Sequence, residues 1–129
     1  MKNIFMCIFI TCLMLVLVSC ENNSGLTFKG EGVNWSGELI TKYDFWGKEH
    51  QSIRITYSGE NPEQLDALNF FVESPDFLGW GLVERELDKN GIYYNDDVNR
   101  LDTKTPSSSK IILSIESEAS ETITLSSSS

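Results

Sequence analysis

From residue 26 onward, hydrophobic and polar residues alternate with a period of two, which is the pattern of half-buried β-strands. The clearest example is residues 51–58, where Ile53 and Ile55 share one face and polar residues occupy the other. Residues 26–30 and 35–45 alternate in the same way. Such alternation predicts antiparallel strands with one solvated face and one buried face.

Further strands are predicted at residues 69–73, 82–87, 92–94, 110–116 and 121–125. Asn61 followed by Pro62 is typical of a helix start, so we expect a short helix with Asn61 as its cap. Asn90-Gly91 lies between strand-like runs and predicts a tight hairpin. Residues 95–109 are mostly polar and predict a loop.

This succession of short strands and turns favours an all-β fold, an immunoglobulin-like β-sandwich of about 7–8 antiparallel strands. The cysteine and tryptophan spacing of an antibody domain is absent, so packing alone would hold the sandwich. A small open barrel is the alternative. The sandwich domain is expected to span residues 26–125, and the serine-rich residues 126–129 are expected to be disordered.

The N-terminal segment has a different pattern. Lys2 precedes an almost unbroken apolar run over residues 4–18, and Leu-Val-Ser-Cys occupies residues 17–20. As a helix the run would be roughly 22 Å long, which is shorter than the hydrocarbon core of roughly 30 Å. A cleaved secretory signal peptide at residues 1–19 is therefore the better interpretation, with residues 20–25 as a polar tether.

The tetrapeptide at residues 17–20 resembles the lipobox of bacterial lipoproteins, in which Leu, an aliphatic or small residue, a small residue and Cys follow one another. This resemblance implies cleavage after Ser19 and a diacylglyceryl thioether on Cys20. Two acyl chains such as palmitate would anchor the protein stably, at about 0.8 kcal/mol per buried CH₂. The expected location is the extracytoplasmic face of the cell membrane. A cleaved signal with an incidental cysteine is the alternative.

A second resemblance concerns the two ends of the expected domain. Phe-Lys-Gly-Glu at residues 28–31, and the alternating residues 111–116 and 121–125, are similar to the opening and closing strands of small membrane lipoproteins of Bacillus-type (Firmicutes) bacteria, whose function is uncharacterised. Gly32 stands where that family usually has Ser. The resemblance implies an exported, all-β, lipid-anchored protein, and it implies no catalytic residue.

Cysteine usage and charge restrict the function classes further. Removal of residues 1–19 from the 129-residue chain leaves 110 residues, and it removes Cys7 and Cys12. With Cys20 acylated, the mature protein would hold no disulfide, no cysteine nucleophile and no cysteine-ligated metal. Loss of Lys2 takes the net charge from −9 to −10, and such an acidic chain disfavours nucleic acid as a partner.

Candidate catalytic and metal-binding residues are few. His50 is the only histidine, so a two-histidine metal site is excluded, and we expect an ordinary surface residue in a polar turn. Residues 95–102 gather Asp and Asn oxygens suited to calcium, but Leu101 stands where an EF-hand places a ligand, which favours a solvated turn. Glu84 and Glu86 are expected to face solvent rather than a hydrolytic cleft. No catalytic residue, metal or cofactor is expected.

Aromatic residues are the best candidates for binding. Tandem pairs lie at residues 45–46 and 93–94, and an exposed ring can stack on a sugar or anchor in a partner's pocket. Trp35, Trp80 and one member of each pair are expected in the core. The candidate contact residues are Trp46, Tyr93 and Tyr94.

Together these observations predict a lipid-anchored extracytoplasmic lipoprotein that acts as a non-catalytic binding or interaction module. Its expected partners are the membrane, through the lipid anchor, and an envelope protein or cell-wall component, met by an aromatic patch or a free strand edge. The alternatives are a small envelope enzyme or enzyme inhibitor, and an accessory subunit of a surface complex.

Overall fold

A computed structural model describes residues 24–127 of the protein. The expected signal peptide at residues 1–19, the lipidation candidate Cys20 and the last two residues of the serine tail lie outside the described residues. Over residues 24–127, no helix has the length and apolar character needed to cross a membrane.

The described residues contain eight antiparallel strands. This confirms the prediction of an all-β fold of about 7–8 antiparallel strands. They are β1 (Ser24–Glu31), β2 (Trp35–Tyr43), β3 (Glu49–Tyr57), β4 (Leu68–Ser74), β5 (Phe77–Arg85), β6 (Ile92–Leu101), β7 (Ile111–Glu116) and β8 (Glu121–Ser127). A single turn of 3₁₀ helix, Pro62–Gln64, lies between β3 and β4.

The strands form one sheet in the order β5-β4-β7-β8-β1-β2-β3-β6. Its two four-stranded halves meet where β1 pairs with β8, through Phe28 opposite Ser127 and Lys29 opposite Ser126. The sheet curls until the terminal strands β5 and β6 come into contact. The result is barrel-like, and it is closer to the open-barrel alternative than to an immunoglobulin-like sandwich.

Because all neighbouring strands are antiparallel, the connections alternate between two ends of the barrel. Ser24, the first described residue, pairs with Lys42 near the end of β2. The N-terminal end, as we call it, therefore carries Ser24 and the connections at residues 44–48, 75–76 and 102–110. The far end carries the connections at residues 32–34, 58–67, 86–91 and 117–120.

The core is apolar, and its buried hydrophobic residues lie on six of the eight strands. Trp35 is buried as predicted; its ring packs 4.9 Å from that of Tyr57, and its Nε1 donates a 2.6 Å hydrogen bond to the carbonyl of Ala119. The other buried hydrophobic residues are Phe28, Leu39, Ile53, Ile55, Leu68, Phe70, Val72, Ile111, Leu113, Ile115, Ile123 and Leu125.

At the N-terminal end the barrel interior is polar. The fully buried carboxylate of Glu49 accepts hydrogen bonds from the Thr105 amide (2.8 Å), the Thr105 hydroxyl (2.7 Å) and the Gln51 side chain (2.9 Å). The Gln51 carbonyl in turn accepts from Trp80 Nε1 (3.0 Å) and Asn99 Nδ2 (3.0 Å). Buried polar groups need such partners, so this network ties β5, β6 and the 102–110 connection to β3.

The predicted hairpin at Asn90-Gly91 is wrong. Gly91 does adopt a left-handed conformation (φ 79°), and its amide donates to the carbonyl of Asp88 (3.0 Å). However, β5 pairs with β4 through the two-residue turn at residues 75–76, whereas β6 pairs with β3. The Asn-Gly turn therefore leads the chain from one terminal strand of the sheet to the other.

Three local predictions also need correction. Asn61 precedes the 3₁₀ turn in a left-handed conformation (φ 54°) and makes no side-chain capping hydrogen bond. The expected loop at residues 95–109 begins later, because β6 continues to Leu101 along β3. The first two residues of the expected disordered tail belong to β8 instead, since this strand continues to Ser127 along β1.

Candidate functional site

A polar depression of about 260 Å³ lies on the outer face of the barrel, where β2, β3 and β6 are neighbours. We call it the polar pocket; it is lined by Lys42, Tyr43, Asp44, His50, Ser52, Asp96 and Asp97. Adjacent strands contribute because outward-facing residues lie side by side in register, as for Lys42 opposite His50. The pocket therefore combines residues that are far apart in the sequence.

His50 lies between two carboxylates. Its Nε2 is 2.8 Å from Asp44 Oδ2, and its Nδ1 is 2.7 Å from Asp97 Oδ1. Asp97 also accepts a 2.9 Å hydrogen bond from Arg100 Nη2. His50 lies on β3 rather than in the expected polar turn, and its side chain is 22% exposed.

A bulge in β6 brings Asp97 to this position. Gln51 of β3 pairs with Asn99 of β6, and two residues later Ile53 pairs with Asn95, so β6 has two extra residues in this interval. Asp97 lies among them and adopts a left-handed conformation with φ 51°. Bulges bend a strand and redirect its side chains, which here turns the Asp97 carboxylate towards β3.

The charges of this cluster reinforce one another. Hydrogen bonds to Asp44 and then Asp97 raise the pKa of His50 above its ordinary value of 6.5. The same hydrogen bond to His50 lowers the pKa of Asp44, and the Arg100 guanidinium, followed by His50, lowers the pKa of Asp97. The cluster therefore favours a charged imidazole between two ionised carboxylates.

Asp44 also organises the turn between β2 and β3. Its Oδ1 accepts hydrogen bonds from the amides of Trp46 (2.9 Å) and Lys48 (3.0 Å), and its carbonyl accepts from the amide of Gly47, which has φ 78°. Asp at the first position and Gly at the fourth are typical of such turns. The turn is thus closed by one carboxylate that also binds His50.

Phe45 and Trp46 occupy the tip of this turn. Phe45 is 93% exposed and Trp46 is 79% exposed, and their rings contact each other edge to face at 5.4 Å. The expectation that one member of this pair fills the core is wrong, because the pair follows the last residue of β2 and lies on the turn rather than on the strand.

Tyr94 lies on the outer face beside the polar pocket. Its ring is 46% exposed and stacks under the guanidinium of Arg54 at 5.2 Å, and its hydroxyl is 3.5 Å from Asp96 Oδ1. The Ser52 hydroxyl donates a 2.6 Å hydrogen bond to Asp96 and lowers the pKa of that carboxyl. Tyr94 therefore presents a ring next to a hydrogen-bond acceptor that stays ionised.

Tyr93 and Trp80 point inward instead. Tyr93 is half-buried against Phe70, and its hydroxyl accepts a 3.0 Å hydrogen bond from Asn95. Trp80 is half-buried and packs on the same phenylalanine at 5.9 Å. Of the three candidate contact residues, Trp46 and Tyr94 are exposed, and Tyr93 packs against the core.

Sequence reasoning did not predict the His50 cluster, which consists of His50, Asp44, Asp97 and Arg100. Asp97 is 47 residues from His50, and only the pairing of β3 with β6 joins them. A partial signal was present: the Asp-Phe-Trp-Gly sequence at residues 44–47 is a turn signature, and it would have placed Phe45 and Trp46 at an exposed tip.

A second groove, of about 380 Å³, lies on the outer face of β4, β5 and β7. The ring of Phe71 covers Gly79 and Gly81 there, so that an added Cβ would meet the ring at 2.9 Å and 2.8 Å respectively. Val83, 65% exposed, completes the apolar wall. This groove contains none of the candidate contact residues.

Within residues 24–127, no group of three or more His, Cys, Asp or Glu side chains is arranged to hold a metal ion. In the His50 cluster both ring nitrogens already form hydrogen bonds with carboxylates. The chain matches no protein-family model, no curated protein and no solved structure.

We expect the single imidazole of the chain to titrate above pH 6.5 in an NMR titration, because its charged form is hydrogen-bonded to two carboxylates. Asp97→Asn should lower the midpoint, and Asp44→Asn should lower it more. A midpoint of the parent protein at or below 6.5 would contradict the hydrogen bonds of His50 to the two carboxylates.

Since the folded pKa of His50 is raised, the cluster stabilises the fold fully below pH 6.5 and loses that contribution as pH rises through the folded pKa. The melting temperature of the parent protein should fall over that interval, and that of His50→Gln should not. An equal fall in the melting temperature of His50→Gln would show that another group causes the pH dependence.

Asp44→Ala should loosen the aromatic turn, whereas Asp44→Asn should preserve it. An Asn side chain still offers Oδ1 to the amides of Trp46 and Lys48, and an Ala side chain offers nothing. Amide hydrogen exchange of Trp46 and Lys48 should therefore accelerate in Asp44→Ala only. Equal acceleration in both variants would show that the charge pair with His50, and not the turn hydrogen bonds, holds the tip.

Proposed function

We propose that the protein is a lipid-anchored lipoprotein of the extracytoplasmic membrane face and acts as a non-catalytic binding module. The partner contact is the polar pocket with the ring of Tyr94 at its rim. The partner is a cell-wall component or envelope protein rich in hydrogen-bond donors, such as hydroxyl or amino groups. The single observation that carries the binding proposal is the exposed Tyr94 ring beside the Asp96 carboxylate.

The way the first strand begins supports the anchor. The Thr41 hydroxyl donates to the carbonyl of Leu26 (3.0 Å) and accepts from its amide (2.7 Å), which fixes the start of β1 to β2. Ser24 is already part of β1, and only three residues separate it from Cys20 in the sequence. An acylated Cys20 would thus hold the barrel close to the membrane.

The chemistry of the pocket supports binding of a donor-rich group. Aromatic rings stack on the apolar faces of sugars and anchor side chains of partners. The carboxylates of Asp96 and Asp97 are hydrogen-bond acceptors with pKa values below the ordinary range, through Ser52 and Arg100 respectively, so both stay ionised at neutral pH. Lys42 at the pocket wall adds one donor.

The hydrogen bonding of His50 supports a non-catalytic role. A general base needs a free ring nitrogen within reach of a substrate proton, and both ring nitrogens of His50 are bonded to Asp44 and Asp97. The raised pKa of His50 also favours the protonated form, which has no lone pair to accept a proton. The cluster is therefore suited to holding the pocket in shape.

Labelling cells with radioactive palmitate tests the anchor. The parent protein should be labelled and recovered with membranes, and Cys20→Ala should be unlabelled and recovered in the soluble fraction, because the variant offers no thiol for acyl transfer. Equal labelling of parent and variant, or a mature protein that begins at Met1, would contradict the anchor.

Retention on isolated cell walls and on solubilised envelope proteins tests the binding face. Tyr94→Ala should reduce retention at least several-fold, since truncation of an aromatic residue that is a central anchor of an interface costs about 1 kcal/mol or more. Val33→Ala is the matched control, because Val33 is 88% exposed at the far end of the barrel. Identical retention of parent, Tyr94→Ala and Val33→Ala would count against the pocket as the contact.

A further inference from the structure

We infer that the exposed turn formed by Phe45 and Trp46 inserts into the lipid–water interface of the membrane and makes a second attachment beside the lipid anchor. This inference rests on the proposed anchor at Cys20 and goes beyond it, because it assigns the orientation of the barrel. It uses side chains that the proposed partner contact at Tyr94 does not require.

Strand topology places the turn next to the attachment point. Ser24 pairs with Lys42, and the turn begins two residues after Lys42, so the start of β1 and the aromatic tip lie at the same end of the barrel. Cys20 precedes Ser24 by four residues, which span at most about 14 Å when fully extended. A bilayer that holds Cys20 therefore lies within about 14 Å of Ser24, and Ser24 pairs with the strand that leads into the turn.

The chemistry of the tip suits the interface. Phe45 and Trp46 are 93% and 79% exposed, which leaves two large rings in water unless something covers them. Tryptophan is enriched at membrane–water interfaces because its ring is apolar and its N–H remains hydrogen-bonded at the headgroups. Lys48 flanks the rings with a 58% exposed side chain, whose Nζ is 3.7 Å from Asp102 Oδ1. Exposed ion pairs of this kind are weak, so the ammonium group can exchange this partner for a lipid phosphate.

The turn is ordered before it meets a membrane. Asp44 closes it through the amides of Trp46 and Lys48, and the amide of Asp44 itself donates to the carbonyl of Lys48 (3.0 Å). The same carboxyl group binds His50 of β3. Because the rings are already displayed on a fixed turn, insertion needs little additional loss of conformational freedom.

Charge favours the same orientation. The connections of the N-terminal end contain three acidic residues and three lysines, whereas those of the far end contain six acidic residues and one lysine. Anionic headgroups repel acidic surfaces, so the far end is disfavoured next to a bilayer. Val33, which is 88% exposed, belongs to a connection of this far end.

Tryptophan quenching in vesicles tests the inference. The full mature lipoprotein is reconstituted in vesicles of phosphatidylcholine and phosphatidylglycerol, with or without bromine on the acyl chains near the headgroups. Trp46 is one of three tryptophans, and the other two, Trp35 and Trp80, are buried and half-buried in the barrel. Bromine should quench the parent and the control Trp80→Phe, and this loss of emission should disappear in Trp46→Phe, which keeps an aromatic ring at the tip.

Vesicle flotation separates the two proposals. Flotation of all three proteins with the vesicles would support the anchor. If bromine then quenches Trp46→Phe as strongly as the parent, or quenches none of the three proteins, the insertion of the turn is contradicted. If the lipoprotein does not float with the vesicles, the lipid anchor is contradicted, and so is the inserted turn that depends on it. Flotation with quenching that depends on Trp46 supports the inserted turn.

Discussion

Strand β3 is the element on which the rest of the structure depends, because it is paired along both sides and uses both faces. Hydrogen bonding to β2 and β6 sets which side chains alternate inward and outward. Inward, Glu49 and Gln51 collect the polar groups that close the N-terminal end of the barrel. His50, which lies between Glu49 and Gln51 in the sequence, points outward. It binds Asp44 of the turn after β2 and Asp97 of β6.

The His50 cluster requires an unusual backbone. Asp97 is held in a left-handed conformation, which costs on the order of 1 kcal/mol for a residue other than glycine. The Ser52 hydroxyl accepts from its amide at 3.0 Å, and Arg100 and His50 bind its carboxylate. Charge-assisted hydrogen bonds of this kind offset the strain. The bulge is thus strained locally, and it fixes an ionised carboxylate in the wall of the polar pocket.

The two ends of the barrel differ in a way that suits attachment to a surface. The N-terminal end combines the beginning of the described chain, an exposed aromatic turn and balanced charge, whereas the far end is acidic. The polar pocket borders the N-terminal end, because Asp44 lines it, whereas Tyr94 lies further along the barrel, opposite Arg54 of β3. With the N-terminal end at the membrane, Tyr94 would face a partner from the side of the barrel.

The sequence by itself determined the strands with strong alternation and the burial of Trp35, since these follow from local periodicity and side-chain size. It also contains the exposed-turn signature at residues 44–47. Only the tertiary structure decided that Asn90-Gly91 joins the two terminal strands, that Glu49 is buried, and that Asp97 meets His50. The reason is physical: periodicity records which face a residue occupies, whereas the identity of the neighbouring strand, and hence of every partner across it, depends on how the whole sheet closes.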